Sequence, residues 1–204
     1  MAGRINTEGA LGESAVDSGQ AVILGVISDT HIPDRVRRLH PQVIPRFRSA
    51  GVDAILHAGD VSSPDVLRQL NQLAPVHAVR GNRDWLLLPR LSLSSLLNFG
   101  GITIALTHGH GRWWNYFIDR VYFILQGYRL ERFKPRLQAS FPDARVIVFG
   151  HTHHTLNQWS NGQLLFNPGS PHCPDDTKDA PSIGLLRIQV GGKVNGEIIE
   201  LDSG

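Results

Sequence analysis

The stretch Ala21 to His31, AVILGVISDTH, constrains the fold more than any other part of the chain. Val22, Ile23, Leu24, Val26 and Ile27 form a near-continuous β-prone run with no polar face. A run of this kind reads as a strand covered on both sides, the usual state of a central strand in an α/β protein. It ends at Ser28, and Asp29 and His31 follow one residue apart. In an extended segment residues i and i+2 point to the same side. The pair is therefore expected to offer a carboxylate and an imidazole to one ion at the carboxyl end of the strand. A single Asp-x-His is a weak signal. Its weight comes from repetition.

The repetition appears when the chain is taken in order. Pro33 to Arg38 form a basic loop, and a helix is expected from about Pro41 to Ala50, stopped by Gly51. Asp53 to Ala58 is the second buried strand, with Gly59-Asp60 directly after it; His57 inside that strand reads as a packed or hydrogen-bonded residue. Ser63-Pro64 opens a helix with proline at its first position, and Val66, Leu67, Leu70 and Leu73 recur at helical spacing. A third strand, Pro75 to Val79, runs into Gly81-Asn82-Arg83-Asp84. Ser94 to Phe99 and Ile102 to Thr107 read as a hairpin around Gly100-Gly101, ending in His108-Gly109-His110. Arg145 to Phe149 is another buried strand and ends in Gly150-His151-Thr152-His153. A second hairpin turns at Asn161-Gly162 and leads to Asn167-Pro168-Gly169-Ser170; the last strands are Ile183 to Val190 and Glu197 to Leu201.

Parallel βα units first and antiparallel strands later predict an α/β fold, a four-layer αββα sandwich of two mixed β-sheets flanked by helices. At 204 residues with 41% hydrophobic content, the chain suffices for one well-buried domain, expected over residues 21–204. Residues 1–20 read as a flexible tail with no signal-peptide core. No run approaches the roughly 18 apolar residues of a membrane span. The lone Cys173 excludes an internal disulfide and fits a reducing compartment. A cytoplasmic protein is expected. The net charge of +2 is too small to argue for nucleic acid.

Five strand ends thus carry Asp29/His31, Asp60, Asn82, His108 and His151/His153. Mixed Asp, Asn and His side chains suit borderline-hard divalent ions. Seven such groups are too many for one ion and right for two that share a carboxylate.

D-x-H, G-D, G-N-x-D, H-G-H and G-H-T-H, in this order, resemble the signature of the calcineurin-like metallophosphoesterases. The likeness runs from about Val22 to Ser170 and onward to the last strands. Chain length and the N-P-G-S resemble the small single-domain branch, the YfcE-type phosphodiesterases. The resemblance implies a phosphodiester hydrolase with two divalent ions per chain, manganese foremost, with Fe, Ni, Zn or Mg as alternatives. Asp29, His31 and His153 would hold one ion, Asn82, His108 and His151 the other, and Asp60 would bridge them. The shared carboxylate and a bridging hydroxide would offset repulsion between cations about 3.5–4 Å apart, and the hydroxide would attack phosphorus in line. Asp60, Asn82, Arg83 and His108 are the candidate catalytic residues; Arg83, His110 and Asn167 are candidates for contact with substrate. Many family members have His after the Gly-Asn, where this chain has Arg83. Arginine stays protonated and is no general acid; it either clamps phosphate oxygens or pairs with Asp84. His110 and His154 are expected at the rim.

Two alternatives resemble the sequence in part. UDP-diacylglucosamine pyrophosphate hydrolases of lipid metabolism share the G-N-R-D stretch. The retromer small subunit, a non-catalytic scaffold, is similar in the H-I-P after the first strand. Arg112 to Phe133 departs from the compact branch: Trp113, Phe117, Val121, Ile124 and Tyr128 recur at helical spacing. This helical aromatic insertion, at about 112–140, reads as a helix packed on the sandwich, a homodimer contact, a lid over an apolar substrate group, or a peripheral membrane contact. The expected partner is a small-molecule or lipid-linked phosphoester.

Overall fold

The computed structural model describes residues 21–109, 130–172 and 179–202. In chain order the elements are β1 (Val22–Ile27), α1 (Val43–Ala50), β2 (Ala54–His57), α2 (Pro64–Asn71), β3 (Val76–Ala78), β4 (Ser94–Phe99), β5 (Ile102–Thr107), α3 (Leu130–Ser140), β6 (Val146–Val148), β7 (Thr155–Ser160), β8 (Gln163–Pro168), β9 (Ser182–Ile188) and β10 (Val194–Glu200). They build two five-stranded sheets, β10-β9-β1-β2-β3 and β4-β5-β6-β8-β7. Both are mixed: β1 runs parallel to β2 but antiparallel to β9, and β6 runs parallel to β5 and β8 while β4 and β7 run antiparallel on the edges.

Side-chain alternation assigns the layers. Leu24, Val26 and Leu56 from the first sheet meet Ile104, Leu106, Val146, Val148, Leu164 and Phe166 from the second in one buried cluster. Residues of opposite parity face outward: Ile55 packs with Val43 and Phe47 of α1 and Val66, Leu67 and Leu70 of α2. On the far side Ala105, Ile147 and Leu165 pack with Leu137 of α3. A period of two on strands buried on both faces therefore yields the expected four layers.

The local signals act as read. Ser63 Oγ accepts a hydrogen bond from Asp65 N at 3.2 Å, capping α2, with Pro64 in its first turn. Gly51, at φ 65°, ends α1. The hairpins turn at Gly100-Gly101 and Asn161-Gly162, all four residues at positive φ, which is what tight two-residue turns demand. Strand ends differ from expectation by one to three residues, the largest at the last strand, which starts at Val194 rather than Glu197. The tail 1–20 and the aromatic segment up to residue 129 lie outside the described residues; Leu130–Ser140, at the end of that segment, is helical.

Candidate metal centre

The first correction concerns how the strand ends present their side chains. Asp29 and His31 do not continue β1 as an extended pair. Both have left-handed backbone, at φ 54° and 48°, and so do Asp60 (52°), His151 (70°) and His153 (58°). Such conformations cost on the order of 1–3 kcal/mol each for residues with a Cβ and persist only where the surroundings over-determine them. Here they do. Asp29 N donates to Gly59 O at 2.9 Å and His31 N to Asp60 O at 3.1 Å, which ties the two loops together. Asp29 Oδ2 accepts from Ser28 Oγ at 2.6 Å and from His151 N at 2.9 Å, and Asp29 O accepts from Ser170 Oγ at 3.0 Å. Asp29 and His31 share one side because of this turn and not because of strand pleating.

The turns bring six of the seven expected ligands into close mutual contact. One oxygen or nitrogen from each of Asp29, His31 and His153 lies within 4.8 Å of the others, all three residues buried. A second buried group joins Asp29, Asp60 and His108 in the same way. Asp60 lies between the histidines, with Oδ2 3.8 Å from His31 Nε2 and Oδ1 3.6 Å from His108 Nε2. Asn82 Oδ1 is 3.1 Å from His108 Nε2. The seventh, His151, sets its ring edge-on to that of His108, centroids 5.0 Å apart. His108 is held from behind, its Nδ1 2.7 Å from Ala58 O, a contact that fixes the ring and leaves Nε2 toward the acids. Gly81 allows the crowding: a Cβ there would sit 2.1 Å from Asp60 Oδ1.

Electrostatics suit a cation. Burial foremost pushes His31 down to about 3, with Asp29 opposing, so its imidazole is neutral and carries a ligating lone pair. Burial foremost raises Asp60 to about 6, with His108 opposing and Asp29 reinforcing. For Asp29 burial is also the largest influence and disfavours ionisation, yet His153, His108 and His31 together hold its carboxyl well below the usual range. Asp29 Oδ1 is fully buried, and the groups nearest it are two ring nitrogens, His153 Nε2 at 3.3 Å and His31 Nε2 at 3.7 Å. A buried, ionised oxygen whose nearest neighbours are imidazoles that burial keeps neutral, as it does His31, is costly. A divalent ion beside it removes that cost, so the residues fit the group that the donor set implies.

Several residues take roles the sequence did not disclose. Asp84 is fully buried, and its carboxylate accepts from Ser62 N and Gly81 N, each at 2.7 Å. It joins the loops that carry Asp60 and Asn82. Of the two readings of Arg83, the pair with Asp84 is therefore replaced: Arg83 bonds Asp34 through Nη1, while its backbone N donates to Asp60 Oδ1 at 2.8 Å. Asn167, expected to touch substrate, is instead fully buried. Its Nδ2 donates to Gly150 O (3.1 Å) and Thr152 Oγ1 (3.0 Å), and its Oδ1 accepts from Gly169 N (2.9 Å), so it holds the loop bearing His151 and His153. His57 is buried with its Nε2 3.2 Å from Thr30 Oγ1. His154 turns to Asp179, 3.3 Å away. His172, which carried no argument in the sequence, stands edge-on to His31 with centroids 5.7 Å apart. Only its approach in three dimensions marks it. His110 lies outside the described residues.

Comparison with known proteins places this geometry. The calcineurin-like phosphoesterase superfamily domain matches residues 22–191. A probable metallophosphoesterase of Methanothermobacter thermautotrophicus is 38% identical, covering 87% of this chain and 92% of its own. A phosphodiesterase of Methanocaldococcus jannaschii is 27% identical over 80% of this chain and 91% of its own. Among solved structures, Vps29 of Entamoeba histolytica complexed with zinc superposes with a TM-score of 0.63 at 26% identity, covering 89% of this chain and all of that one. The extent of the domain match and of the similarity to these relatives, over the strands and turns that assemble the centre, shows that the chain belongs to the calcineurin-like phosphoesterase superfamily.

Proposed function

We propose that this protein is a two-metal phosphodiesterase. One observation carries the reading: the two oxygens of Asp60 face different histidines, His31 and His108, at 3.8 and 3.6 Å. That disposition would let one carboxylate bridge two ions. Asp29, His31 and His153 would hold one divalent ion and Asn82, His108 and His151 the second. When bound, two such ions supply a nucleophile at neutral pH and polarise the phosphoryl oxygens. The neutral amide of Asn82 keeps the pocket from excess negative charge toward a phosphate. The archaeal relative named a phosphodiesterase supports the same substrate class. The zinc in the related Vps29 makes zinc a candidate ion beside manganese.

Arg83 sets the choice of substrate. Its backbone N orients Asp60, and its guanidinium, 40% exposed and paired with Asp34, can exchange that partner for a phosphoryl oxygen. Being permanently charged, it supplies no proton to a leaving alkoxide. Esters with good leaving groups are the expected substrates, aryl diesters in the test tube. A pyrophosphate-linked lipid such as UDP-diacylglucosamine suits the same residue, because a departing phosphate needs no proton.

The test is metal analysis of the purified protein together with hydrolysis of a generic aryl phosphodiester, before and after chelation. About two ions per chain, with hydrolysis lost on chelation and restored by manganese, is the expected result. Two ions per chain with no hydrolysis of any diester would transfer the reading to the scaffold role. A second arm addresses Arg83: the Arg83→His variant should flatten the dependence of rate on leaving-group pKa. An unchanged slope would mean residue 83 does not reach the leaving oxygen.

A further inference from the structure

Beside the centre lies a face that the chemistry does not use. Immediately after Asn82 and Arg83, Trp85, Leu86 and Leu87 are consecutive and 63%, 68% and 55% exposed. Single exposed apolar residues are ordinary, but three in a row headed by an indole are not. Their loop is firmly placed: Leu88 N donates to Asp84 O at 2.8 Å, and Leu88 and Leu91 pack under it against the cluster that also holds Val36 and Leu39 of the neighbouring loop. The contact between Arg83 and Asp34 joins the two loops again. The exposed triplet is therefore a supported feature and not a loose end.

The same two loops present Arg37, Arg38 and Arg90, all exposed. Their acids are engaged locally: Asp34 by Arg83 and Asp84 by hydrogen bonds from two backbone amides. The face thus combines an indole and two leucines with a fringe of exposed arginines. Tryptophan and leucine entering the headgroup boundary, with arginines on the phosphates around them, is the chemistry of attachment to an anionic bilayer. A second copy of the chain would have to bring the same basic fringe against itself across a two-fold axis, and the charges argue against it.

We infer that the face formed by the 33–39 and 84–91 loops docks on an anionic lipid surface. Docking there holds the metal centre beside the headgroups, since Asn82 and Arg83 begin the same loop. The inference concerns attachment and stands apart from what the centre hydrolyses.

Co-sedimentation with vesicles tests it without any activity measurement. The full chain should bind vesicles of phosphatidylcholine with phosphatidylglycerol, bind neutral phosphatidylcholine vesicles weakly, and release at high salt. Replacing Trp85, Leu86 and Leu87 together with serine should lower the partition coefficient by tenfold or more, since it removes the apolar surface that enters the headgroup boundary. Arg37→Glu with Arg38→Glu should lower it by roughly fivefold for each arginine removed. Because these two arginines are exposed, that variant carries the test if the serine variant folds poorly. Equal binding by both variants and the wild type would overturn the inference and assign attachment to another surface. Absence of binding to anionic vesicles would overturn it too. So would a dimer in sedimentation equilibrium that the serine variant alone dissociates, since the face would then be a contact between copies.

Discussion

At one end of the sandwich, left-handed backbone falls on Gly100, Gly101, Asn161, Gly162, Gly191 and Gly192; at the other it falls on Gly59, Ser62, Gly109 and Gly169 and also on Asp29, His31, Asp60, His151 and His153. The hairpin end reverses the chain and asks nothing of the side chain, so glycine or asparagine suffices. The metal end needs the same turn together with a carboxylate or an imidazole. It accepts the strain and restrains it with bonds from other loops: Gly59 O and Asp60 O receive Asp29 N and His31 N, and His151 N reaches Asp29 Oδ2. The backbone at the hairpin end is bonded mainly within each hairpin, with Arg145 Nη1 and Gln138 Nε2 also reaching Gly162 O and Ser160 O. At the metal end it is satisfied by residues far away in sequence. Perturbing one end should therefore have local effects, and perturbing the other should spread.

The largest expected effect is at the bridge. Asp60→Ala should lower diester hydrolysis on the order of 10³-fold or more and reduce the content of both ions, whereas Asp29→Ala should chiefly weaken one. Two ions retained in the Asp60→Ala protein, measured by metal analysis after dialysis, would remove Asp60 from the bridging role.

Gly81→Ala comes next. Its Cβ would lie 2.1 Å from Asp60 Oδ1 and 2.2 Å from Asp60 N. Backbone atoms cannot step aside, so a loss of about 3 kcal/mol in denaturant unfolding is expected, together with lowered metal content. Wild-type metal affinity in that variant would show that the loops yield more easily than the hydrogen bonds suggest.

A pH effect of similar or smaller size is expected from His57. Burial foremost lowers it to about 4 from its ordinary 6.5, with Asp84 opposing. The unfolded chain then binds the extra proton first, so stability is lost as pH falls from about 6.5 toward 4. Urea midpoints of metal-free protein at pH 7 and pH 5 should differ. His57→Gln, which retains a partner for Thr30, should shrink the difference by an amount on the order of 1–3 kcal/mol. Identical pH dependence in that variant would mean other groups govern acid sensitivity.

The smallest effect belongs to the hairpin end. At Gly101 a Cβ would meet nothing within 4 Å, and only its φ of 78° resists substitution. Gly101→Ala should cost about 1 kcal/mol and leave metal content unchanged. Any loss of metal from this variant would contradict the separation of the two ends.

What could be read from the sequence follows the same division. Strands, hairpins and layers were legible because a period of two and two-residue turn chemistry are local codes; both sheets and the four layers appear as expected. The order of Asp, Asn and His at strand ends was legible for the same reason. Their left-handed backbone was not, because a bond such as Ser170 Oγ to Asp29 O spans most of the chain. Asp84 looked like a partner for Arg83 until its carboxylate proved to be engaged by Ser62 and Gly81. Asn167 looked like a rim residue until its amide proved to be enclosed by the His151 loop. The run Trp85 to Leu87 carries a signal of its own in the sequence: apolar side chains in a turn-rich stretch belonging to neither strand.

The bonds that restrain Asp29 also set a timetable for synthesis. Asp29 and Asp60 leave the ribosome early, but His151 N and Ser170 Oγ, which complete the surroundings of Asp29, come more than a hundred residues after it. At translation rates of roughly 5–20 residues per second, Asp60 precedes His153 by roughly 5–20 s. Throughout that interval the early strands exist without the groups that hold their ends in shape. A growing chain therefore holds the early acids for that interval with no assembled cage, and metal can be captured in its final form only after His153 and Ser170 have emerged.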